Sequence, residues 1–256
     1  MFNDKVILIT GGTGSFGQEC AKYLLKKYSL RKLIIFSRDE LKQYQMQSKF
    51  KNSNLRFFIG DIRDLSRLKL AFKDVDYVIH AAALKHVPIA EYNPTECIKT
   101  NIDGSCNVVN AAIDTKVKKV IALSTDKAVS PINLYGATKL CAEKIFLDAN
   151  ALSGSNPTKF SIVRYGNVLN SRGSIIPLIL KHKLENKKDF PLTDERMTRF
   201  FIDLNDAAKF VCYSFKLMDK GEIFIPKMYS MLIKDLVQSI FPNCKLKKIG
   251  LLLLVN

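Results

Sequence analysis

Short apolar runs alternate with longer segments of helical pattern through the first 170 residues of the chain. The runs show little polar alternation, as expected of strands whose two faces are both covered by helices. A repeated strand–helix order of this kind predicts a doubly wound α/β fold, with a parallel sheet of Rossmann type. The six predicted strands are KVILIT, KLIIFS, LRFFIGD, VDYVIHAAA, KKVIALST and KFSIVRYGNVL.

The pattern loosens after about residue 170, where helix, loop and short strand signals mix. A chain of 256 residues is long enough for one large domain, or for a nucleotide-binding domain with a smaller appendage. We therefore predict a Rossmann domain over residues 1–170. A smaller region over residues 171–256 is expected to pack at the carboxyl edge of the sheet.

Composition narrows the possible partners. The chain has 40 basic and 24 acidic residues, for a net charge of +16, but the lysines are scattered and form no long basic run. A basic enzyme with an anionic substrate is therefore favoured over a nucleic-acid-binding protein. None of the six cysteines forms a CxxC pair, which argues against zinc or a disulfide scaffold and predicts a cytoplasmic protein. No signal peptide or membrane-spanning run is recognised, so we expect no membrane partner.

A glycine-rich turn follows the first predicted strand and opens a helix. Its spacing is GxxGxxG, in the strand–turn–helix context that binds the pyrophosphate of a dinucleotide. The alternative is a plain turn, but the second strand and the later GDIRD segment support a cofactor site. The candidate cofactor-binding residues of this turn are Gly11, Thr13, Gly14, Ser15, Phe16 and Gly17.

The residues at the end of the second strand indicate whether the cofactor is NAD or NADP. An acidic residue there would bind the ribose hydroxyls of NAD, but this chain has Ser37 and Arg38, with Lys42 nearby. A guanidinium can pair with a 2′-phosphate, so NADP is favoured, although Asp39 weakens that choice. The alternative is a solvated arginine.

Two further strand ends complete the predicted cofactor site. Asp61 and Ile62 end the third strand, where they could flank the adenine. Small side chains end the fourth strand and allow the cofactor to approach closely. These small residues are Ala81, Ala82 and Ala83.

A tyrosine and a lysine lie one helical turn apart after the fifth strand. Tyr135 and Lys139 therefore face one side of a helix. A nearby ammonium favours the phenolate, so we expect Lys139 to lower the pKa of Tyr135 and to make it a usable base. A YxxxK spacing alone more often marks a surface helix, but its place downstream of the glycine turn favours a catalytic pair.

At this point the chain resembles the extended short-chain dehydrogenase/reductases, which act mainly on nucleotide sugars. Within them it is most similar to the inverting UDP-N-acetylglucosamine 4,6-dehydratases of the pseudaminic-acid type, which also occur in flagellin glycosylation and capsule pathways. The resemblance extends from residue 5 to about residue 250, and STDKA is its most specific part. It is carried by SRDELK, HAAALKHVPIAEYNP, KTNIDGSCNVVNAA, STDKAVSPINLYGATKL, VRYGNVLNSRGS, DERMTRFFI and GEIFIPKM.

The resemblance implies a hydro-lyase (4.2.1.-) that makes a 4-keto-6-deoxy sugar nucleotide with inversion at C5. It assigns Tyr135 as the base at the C4 hydroxyl, with Lys139 tuning it and holding the nicotinamide ribose. Lys127 would move the C5 proton, and Asp126 would protonate the departing C6 hydroxyl. Thr125 would bond the C4 oxygen. By composition alone, Asp126 and Lys127 would instead be an exposed turn pair.

The resemblance also suggests residues that bind the UDP-sugar. Lys85 is expected to meet the substrate, although a solvated loop lysine is the alternative. Asn167, Arg172 and Arg199 are candidates for its polar and diphosphate groups, because arginine pairs well with diphosphate. Asn101 is expected to orient a helix or substrate groups, and His86 to be structural.

Three alternatives stay open. Similar enzymes carry a segment like GIRPGEKLHE near residue 250, whereas this chain reads KKIGLLLLVN, so we expect a truncated or frame-shifted end and an incomplete substrate region. The chain could then be an inactive cofactor-binding protein. It could also be a retaining 4,6-dehydratase or a 4-epimerase of a UDP-sugar. Homo-oligomers are usual among similar enzymes and are expected here.

Overall fold

The computed structural model describes residues 1–154, 158–169, 171 and 173–250. Its strands are β1 Val6–Thr10, β2 Lys32–Ser37, β3 Leu55–Ile59, β4 Tyr77–His80, β5 Lys119–Thr125, β6 Lys159–Tyr165, β7 Asn167–Val168, β8 Asp189–Leu192, β9 Thr198–Ile202, β10 Ile223–Phe224, β11 Tyr229–Leu232 and β12 Lys245–Lys248. Its α-helices are α1 Ser15–Lys27, α2 Glu40–Lys49, α3 Leu65–Phe72, α4 Val87–Tyr92, α5 Pro94–Ile98, α6 Gly104–Asp114, α7 Leu134–Leu152, α8 Ile175–Leu184, α9 Leu204–Leu217 and α10 Ile233–Ile240.

A seven-stranded parallel sheet forms the centre of the molecule, in the order β10-β6-β5-β4-β1-β2-β3. The strand order reverses between β1 and β4, and this switch point opens a crevice at the carboxyl ends of the strands. The predicted doubly wound α/β fold is therefore confirmed. Successive residues of β1 enter opposite hydrophobic cores, with Ile7 and Ile9 on one face and Val6 and Leu8 on the other.

The predicted sixth strand is divided in two. Strand β6 ends at Tyr165, and β7 belongs to a second sheet, in the order β11-β9-β7. The chain turns away at Gly166, where a Cβ atom would lie 2.6 Å from the carbonyl oxygen of Phe200. The amide of Gly166 donates to the sulfur of Met228 at 3.1 Å. This crossing carries Asn167 out of the central sheet.

Part of the C-terminal region returns to the central sheet. Helix α9 packs against α1, and Val211 and Phe215 of α9 share a core with Ile7 and Ile9. Strand β10 adds a seventh strand, which was not predicted, beside β6. A separate small core lies between α8, α10 and β8. The domain boundary at residue 170 stays a prediction. Helix α9 and strand β10 come after that residue in the chain, yet both pack with the elements that precede it.

Three further properties hold for the described residues. No helix in these ranges is long and apolar enough to span a bilayer. All six cysteines lie within these ranges and are free thiols. Within the same ranges, no group of three or more His, Cys, Asp and Glu side chains is arranged to hold a metal ion.

Candidate active site

The glycine turn lies at the carboxyl end of β1, beside the loop that follows β4. Gly11 has a φ of +64°, and a Cβ atom there would lie 2.8 Å from the backbone of Ala82. A Cβ atom at Gly17 would lie 2.4 Å from the carbonyl oxygen of Gly12. Glycine is therefore required at both positions, because the turn packs directly against its neighbours. The result is an open backbone cradle of the shape that a dinucleotide pyrophosphate occupies.

Helix α1 opens from this cradle. Gly14 is its N-cap, no side chain caps it, and its first turn carries no acidic residue. Thr13 is buried, and its carbonyl oxygen accepts a hydrogen bond of 2.8 Å from Gln18. The electrostatics of the helix N-terminus thus suit an anionic group. Phe16 stacks on Tyr165, with ring centroids 6.3 Å apart.

A buried hydrogen-bond network fixes the loop after β4. The Thr10 hydroxyl oxygen accepts from the amides of Ala81 and Ala82 at 3.2 and 3.3 Å. Its own proton is therefore directed to Nδ1 of His80, 2.8 Å away. Burial, and then the charge of Lys139, lower the pKa of His80 to about 3, so the ring is neutral and protonated on Nε2. Sequence reasoning missed His80, although it was the polar member of an apolar run.

The loop after β2 has a polar arrangement in which Asp39 caps a helix. Asp39 accepts from the Lys42 amide at 2.9 Å and pairs with the Lys42 ammonium at 2.5 Å. Ser37 is buried and accepts from the Gln43 amide group at 3.1 Å. The Arg38 guanidinium is half exposed beyond the strand. Asp39 is therefore engaged as the cap of α2, whereas the Arg38 guanidinium contacts Asp61.

Asp61 lies between two arginines at the end of β3. Its Oδ2 atom is 3.4 Å from Nη1 of Arg38 and 2.7 Å from Nη2 of Arg63. Burial acts to raise the pKa of Asp61, but hydrogen bonds from Arg63 and the charge of Arg38 outweigh it and lower this pKa. Ile62 is buried against Gly104, where a Cβ atom would lie 2.6 Å from its side chain. The two predicted adenine-flanking residues thus lie at the same edge as Arg38.

The STDKA segment forms a hydrogen-bonded group at the carboxyl end of β5. Thr125 ends the strand, and Asp126 and Lys127 follow in a single 3₁₀ turn. The Thr125 hydroxyl donates to Oδ1 of Asp126 at 2.9 Å, and the Lys127 ammonium donates to the same oxygen at 3.0 Å. The ammonium also donates to Oδ1 of Asn167 at 2.9 Å. The structure therefore brings together four of the predicted site residues.

Tyr135 lies in the first turn of α7, close to this group. Asn133 caps the helix by accepting from the amide of Gly136 at 2.8 Å. Burial raises the pKa of Tyr135 to about 12, while hydrogen bonding to Thr125 acts to lower it and the charge of Asp126 acts to raise it. The expectation of a lowered pKa for Tyr135 is therefore wrong, because desolvation of the phenolate outweighs the interactions that favour it.

Lys139 is 5% exposed and lies one turn after Tyr135 on the same side of α7. Burial lowers its pKa to about 8, and the charge of Glu143 acts in the opposite direction. Its ammonium makes no hydrogen bond to another described residue. Its donors therefore remain available to a hydroxyl of an incoming molecule.

Asn101 holds the loop that carries Lys85. It lies in a π-helical turn, Lys99–Asp103, between α5 and α6. Its side-chain oxygen accepts from the Leu84 amide at 2.8 Å, and its nitrogen donates to the Leu84 carbonyl at 2.9 Å. The same nitrogen donates to the Thr138 hydroxyl of α7 at 3.1 Å. Asn101 therefore ties the loop to the helix that carries Tyr135.

Lys85 follows directly and lies near Lys127. It is exposed overall, yet partial burial of its ammonium, and then the charge of Lys127, lower its pKa. His86 packs against Gly173, where a Cβ atom would lie 2.1 Å from its ring. Lys85 therefore lies between two fixed neighbours: Leu84 is bonded to Asn101, and His86 packs against Gly173.

The two predicted arginine ligands of the diphosphate have different outcomes. Arg172 lies outside the described residues. Arg199 is on β9, and its guanidinium donates to the carbonyl oxygen of Thr198 at 2.8 Å. Nothing in the described part of the chain links Arg199 to Lys127.

Known proteins resemble this chain over nearly its full length. It is 58% identical over 251 residues to the inverting UDP-N-acetylglucosamine 4,6-dehydratase of Campylobacter jejuni serotype O:2, covering 98% of this chain and 75% of that protein. It is 45% identical over 243 residues to the UDP-glucose 4-epimerase of Rickettsia bellii, covering 94% and 71%. The structure of Pen from Bacillus thuringiensis superposes with a TM-score of 0.94 at 42% identity, covering 98% and 78%.

The doubly wound sheet, the glycine cradle and the Tyr–Lys pair define an extended short-chain dehydrogenase/reductase. Residues 7–250 match the polysaccharide biosynthesis protein family, and the chain belongs to that family.

Proposed function

We propose that this protein catalyses the NADP-dependent dehydration of UDP-N-acetylglucosamine to a 4-keto-6-deoxy sugar nucleotide, with inversion at C5. The observation that carries the proposal is the hydrogen-bonded Asp126–Lys127 pair beside Tyr135. Oxidation at C4 needs one base, whereas elimination across C5 and C6 needs a second base and an acid. Tyr135, Lys127 and Asp126 would supply these three groups, and the relative from C. jejuni is named as an inverting UDP-N-acetylglucosamine 4,6-dehydratase.

A nicotinamide dinucleotide fits the residues that are present. The cradle at Gly11 and the N-terminus of α1 would hold its pyrophosphate, and the Lys139 ammonium would bind its ribose. When bound, the cofactor would accept a hydride from C4 of the sugar and return it to C6. Ala82 lies against Gly11, so the loop after β4 would border the same groove.

NADP is favoured over NAD by the groups at the end of β2. Asp39 is held by Lys42 as the cap of α2, which draws the acid away from the ribose position. Arg38 remains half exposed at that edge, where a guanidinium can pair with a 2′-phosphate. Asp61 would keep Arg38 in place through their 3.4 Å contact.

Tyr135 would remove the proton of the C4 hydroxyl. With a pKa of about 12 the side chain is a protonated phenol at neutral pH and cannot accept a proton, so the reaction depends on groups that stabilise its phenolate before the sugar reacts. The Thr125 hydroxyl, which otherwise donates to Asp126, could turn to donate to the phenolate, and the Lys139 ammonium lies one turn away. His80 lies beneath α7 and is neutral, so it adds no positive charge that would oppose the ammonium form of Lys139.

Asp126 and Lys127 would act as one unit. Transfer of a proton from Nζ of Lys127 to Oδ1 of Asp126, across their 3.0 Å hydrogen bond, gives a neutral amine and a carboxylic acid. Exclusion of water by the sugar favours this neutral pair, since desolvation penalises the two charges. The amine then takes the C5 proton, and the acid protonates the departing C6 hydroxyl, which leaves as water. The original ion pair is thereby restored. As the hydride returns to C6, a solvent-derived proton would add to C5 from the opposite face.

Other residues would bind the UDP-sugar. Asn167 and Lys85 flank Lys127 and could contact the sugar, while Arg172 and Arg199 remain candidates for the diphosphate. We further propose a place in surface or flagellar glycan synthesis, including the pseudaminic-acid type. Cytoplasmic location and homo-oligomeric assembly are part of the same proposal. The enzyme would be a hydro-lyase.

Incubation with UDP-N-acetylglucosamine in D₂O tests the proposal. We expect a product that has lost one water, carries deuterium at C5 and has the inverted configuration by NMR. Deuterium at C5 with the original configuration would indicate a retaining dehydratase. Bound cofactor without any change in the sugar would indicate an inactive cofactor-binding protein.

A 4-epimerase is the second candidate, because the R. bellii relative at 45% identity is named as one. Epimerisation would need only the Tyr135–Lys139 pair and would leave the mass of the sugar unchanged. The Asp126–Lys127 pair favours dehydration, since epimerisation gives it no proton to move at C5.

A further inference from the structure

A second ion pair lies beneath the active site, between α7 and the central sheet. The Arg164 guanidinium of β6 donates to both carboxylate oxygens of Glu143, through Nε at 3.0 Å and Nη2 at 2.5 Å. Glu143 is 3% exposed and therefore far from bulk solvent. Such two-point pairing holds a carboxylate in one orientation. The roles considered above for the reaction do not use this pair.

Glu143 follows Lys139 by one helical turn, and both side chains line one narrow space with Ser124 of β5. The Ser124 hydroxyl is buried and has no hydrogen-bond partner among the described residues. No ion pair within 4.0 Å joins Lys139 to a carboxylate in the described ranges, so Glu143 acts on the ammonium through space. In an apolar setting that interaction is only weakly screened.

The charged and titratable groups around Lys139 are few. His80 approaches from β4 and is neutral. Glu143 and Tyr135 lie one turn after and before Lys139 on α7, and Arg164 approaches from β6 behind Glu143. Glu143 is thus the negative group beside Lys139 in the described part of this layer.

We propose that Glu143 is a positioning residue, which Arg164 holds in place so that its carboxylate keeps Lys139 in the ammonium form. Burial alone would drive this lysine toward the neutral amine, which could neither stabilise a phenolate nor donate every hydrogen bond to a ribose. The proposal concerns the charge state of Lys139, and it rests on the proposed function only for its catalytic consequence.

The test is a direct titration of Lys139 in the full-length protein without cofactor. Protein labelled with [6-¹³C]lysine would be titrated by NMR, with the Lys139 signal assigned from its absence in Lys139→Arg. We expect Glu143→Gln to lower the Lys139 pKa by about one unit. A merely loosened structure would admit water and raise this pKa, so the sign separates the two explanations. An unchanged or raised pKa overturns the proposal.

A matched control is Asp148→Asn, which removes an exposed carboxylate from the same helix and should leave the Lys139 signal unmoved. Glu143→Gln leaves Arg164 unpaired and could fail to fold. In that case the double variant Glu143→Gln/Arg164→Gln would be compared with Arg164→Gln alone. A lower Lys139 pKa in the double variant supports the proposal, and an equal or higher one refutes it.

The pH dependence of kcat/KM provides the catalytic readout. Because Lys139 would lose its proton at lower pH in Glu143→Gln, the basic limb of this variant's profile should move to lower pH, by the same shift as in the NMR titration. A uniform loss at every pH would mean a structural role and would overturn the proposal. If the enzyme lacks the proposed activity, the NMR titration still decides the charge state of Lys139, so the two failures are distinguishable.

Discussion

Gly136 of α7 lies directly against the carbonyl oxygen of Lys127, where a Cβ atom would come within 2.2 Å. This contact sets the distance between the Asp126–Lys127 turn and the helix that carries Tyr135. The two groups that would act on neighbouring carbons of the sugar in the proposed mechanism are thus held by a single backbone approach. A side chain at residue 136 would push the turn and the helix apart.

We therefore expect Gly136→Ala to lower kcat/KM for UDP-N-acetylglucosamine by about 100-fold, because misplacement of about 1 Å can have that effect. The free energy of unfolding should fall by about 1–3 kcal/mol from overpacking. Gly221→Ala is the control, since its φ of +78° makes it strained but it lies away from the site. Equal activity losses in both variants would contradict the role of this contact.

Lys127→Met tests the second base. We expect kcat to fall by about 10²–10⁴-fold, with no deuterium at C5 of the sugar, because the group that moves the C5 proton is absent. The measurement is mass spectrometry and NMR of sugar recovered from D₂O. Lys144→Met, an exposed position on α7, should behave as the unmodified protein. Continued C5 exchange in Lys127→Met would assign the proton transfer to another group.

Arg38→Gln tests the choice of cofactor. Loss of a charge-assisted contact to the 2′-phosphate should raise the Kd for NADP by about 10–100-fold and leave that for NAD nearly unchanged. Isothermal titration calorimetry would measure both constants. Arg31→Gln is a suitable control, because Arg31 pairs with Asp76 at the opposite, amino end of the sheet. Parallel losses for both cofactors would argue against a 2′-phosphate contact.

His80 should make stability depend on pH in mildly acidic solution. Its pKa is about 3 in the folded protein against an ordinary value of 6.5, so the unfolded chain binds a proton that the folded protein does not. The free energy of unfolding should therefore fall by about 1.4 kcal/mol for each pH unit from pH 6.5 downward, until the folded protein also titrates. Urea unfolding between pH 4 and 7 measures this slope.

In His80→Gln, the slope of the free energy of unfolding against pH should decrease by the contribution of one proton, about 1.4 kcal/mol per pH unit. The free energy of unfolding at pH 7 should also fall by about 1–3 kcal/mol, because the hydrogen bond to Thr10 is lost. His182→Gln is the control on a more exposed histidine and should keep the original slope. An unchanged slope in His80→Gln would show that other groups cause the acid sensitivity.

The sheet and the residues at its strand ends could be predicted because each is local in sequence. The run KVILIT and the glycines after it specify a strand, a turn and a helix without reference to distant residues. The approach of Asn167 to Lys127 could not be predicted, because it depends on the chain leaving the sheet at Gly166 beside Phe200. The pKa of Tyr135 was misjudged for a related reason, since helical spacing reports the neighbouring charge but not the extent of burial.

Helix α9 and strand β10 return to the central sheet, so the smaller lobe consists of two separate segments of the chain, one before α9 and one after β10. The lobe is therefore not a detachable tail. Cutting the chain at residue 170 would strip α1 of its packing partner and leave β6 as a bare edge. A different lobe joined to the central sheet would have to preserve both places where the chain leaves the sheet, after β6 and after β10. If the lobe binds the sugar as proposed, substitutions within the lobe are therefore a simpler route to a new sugar specificity than its replacement.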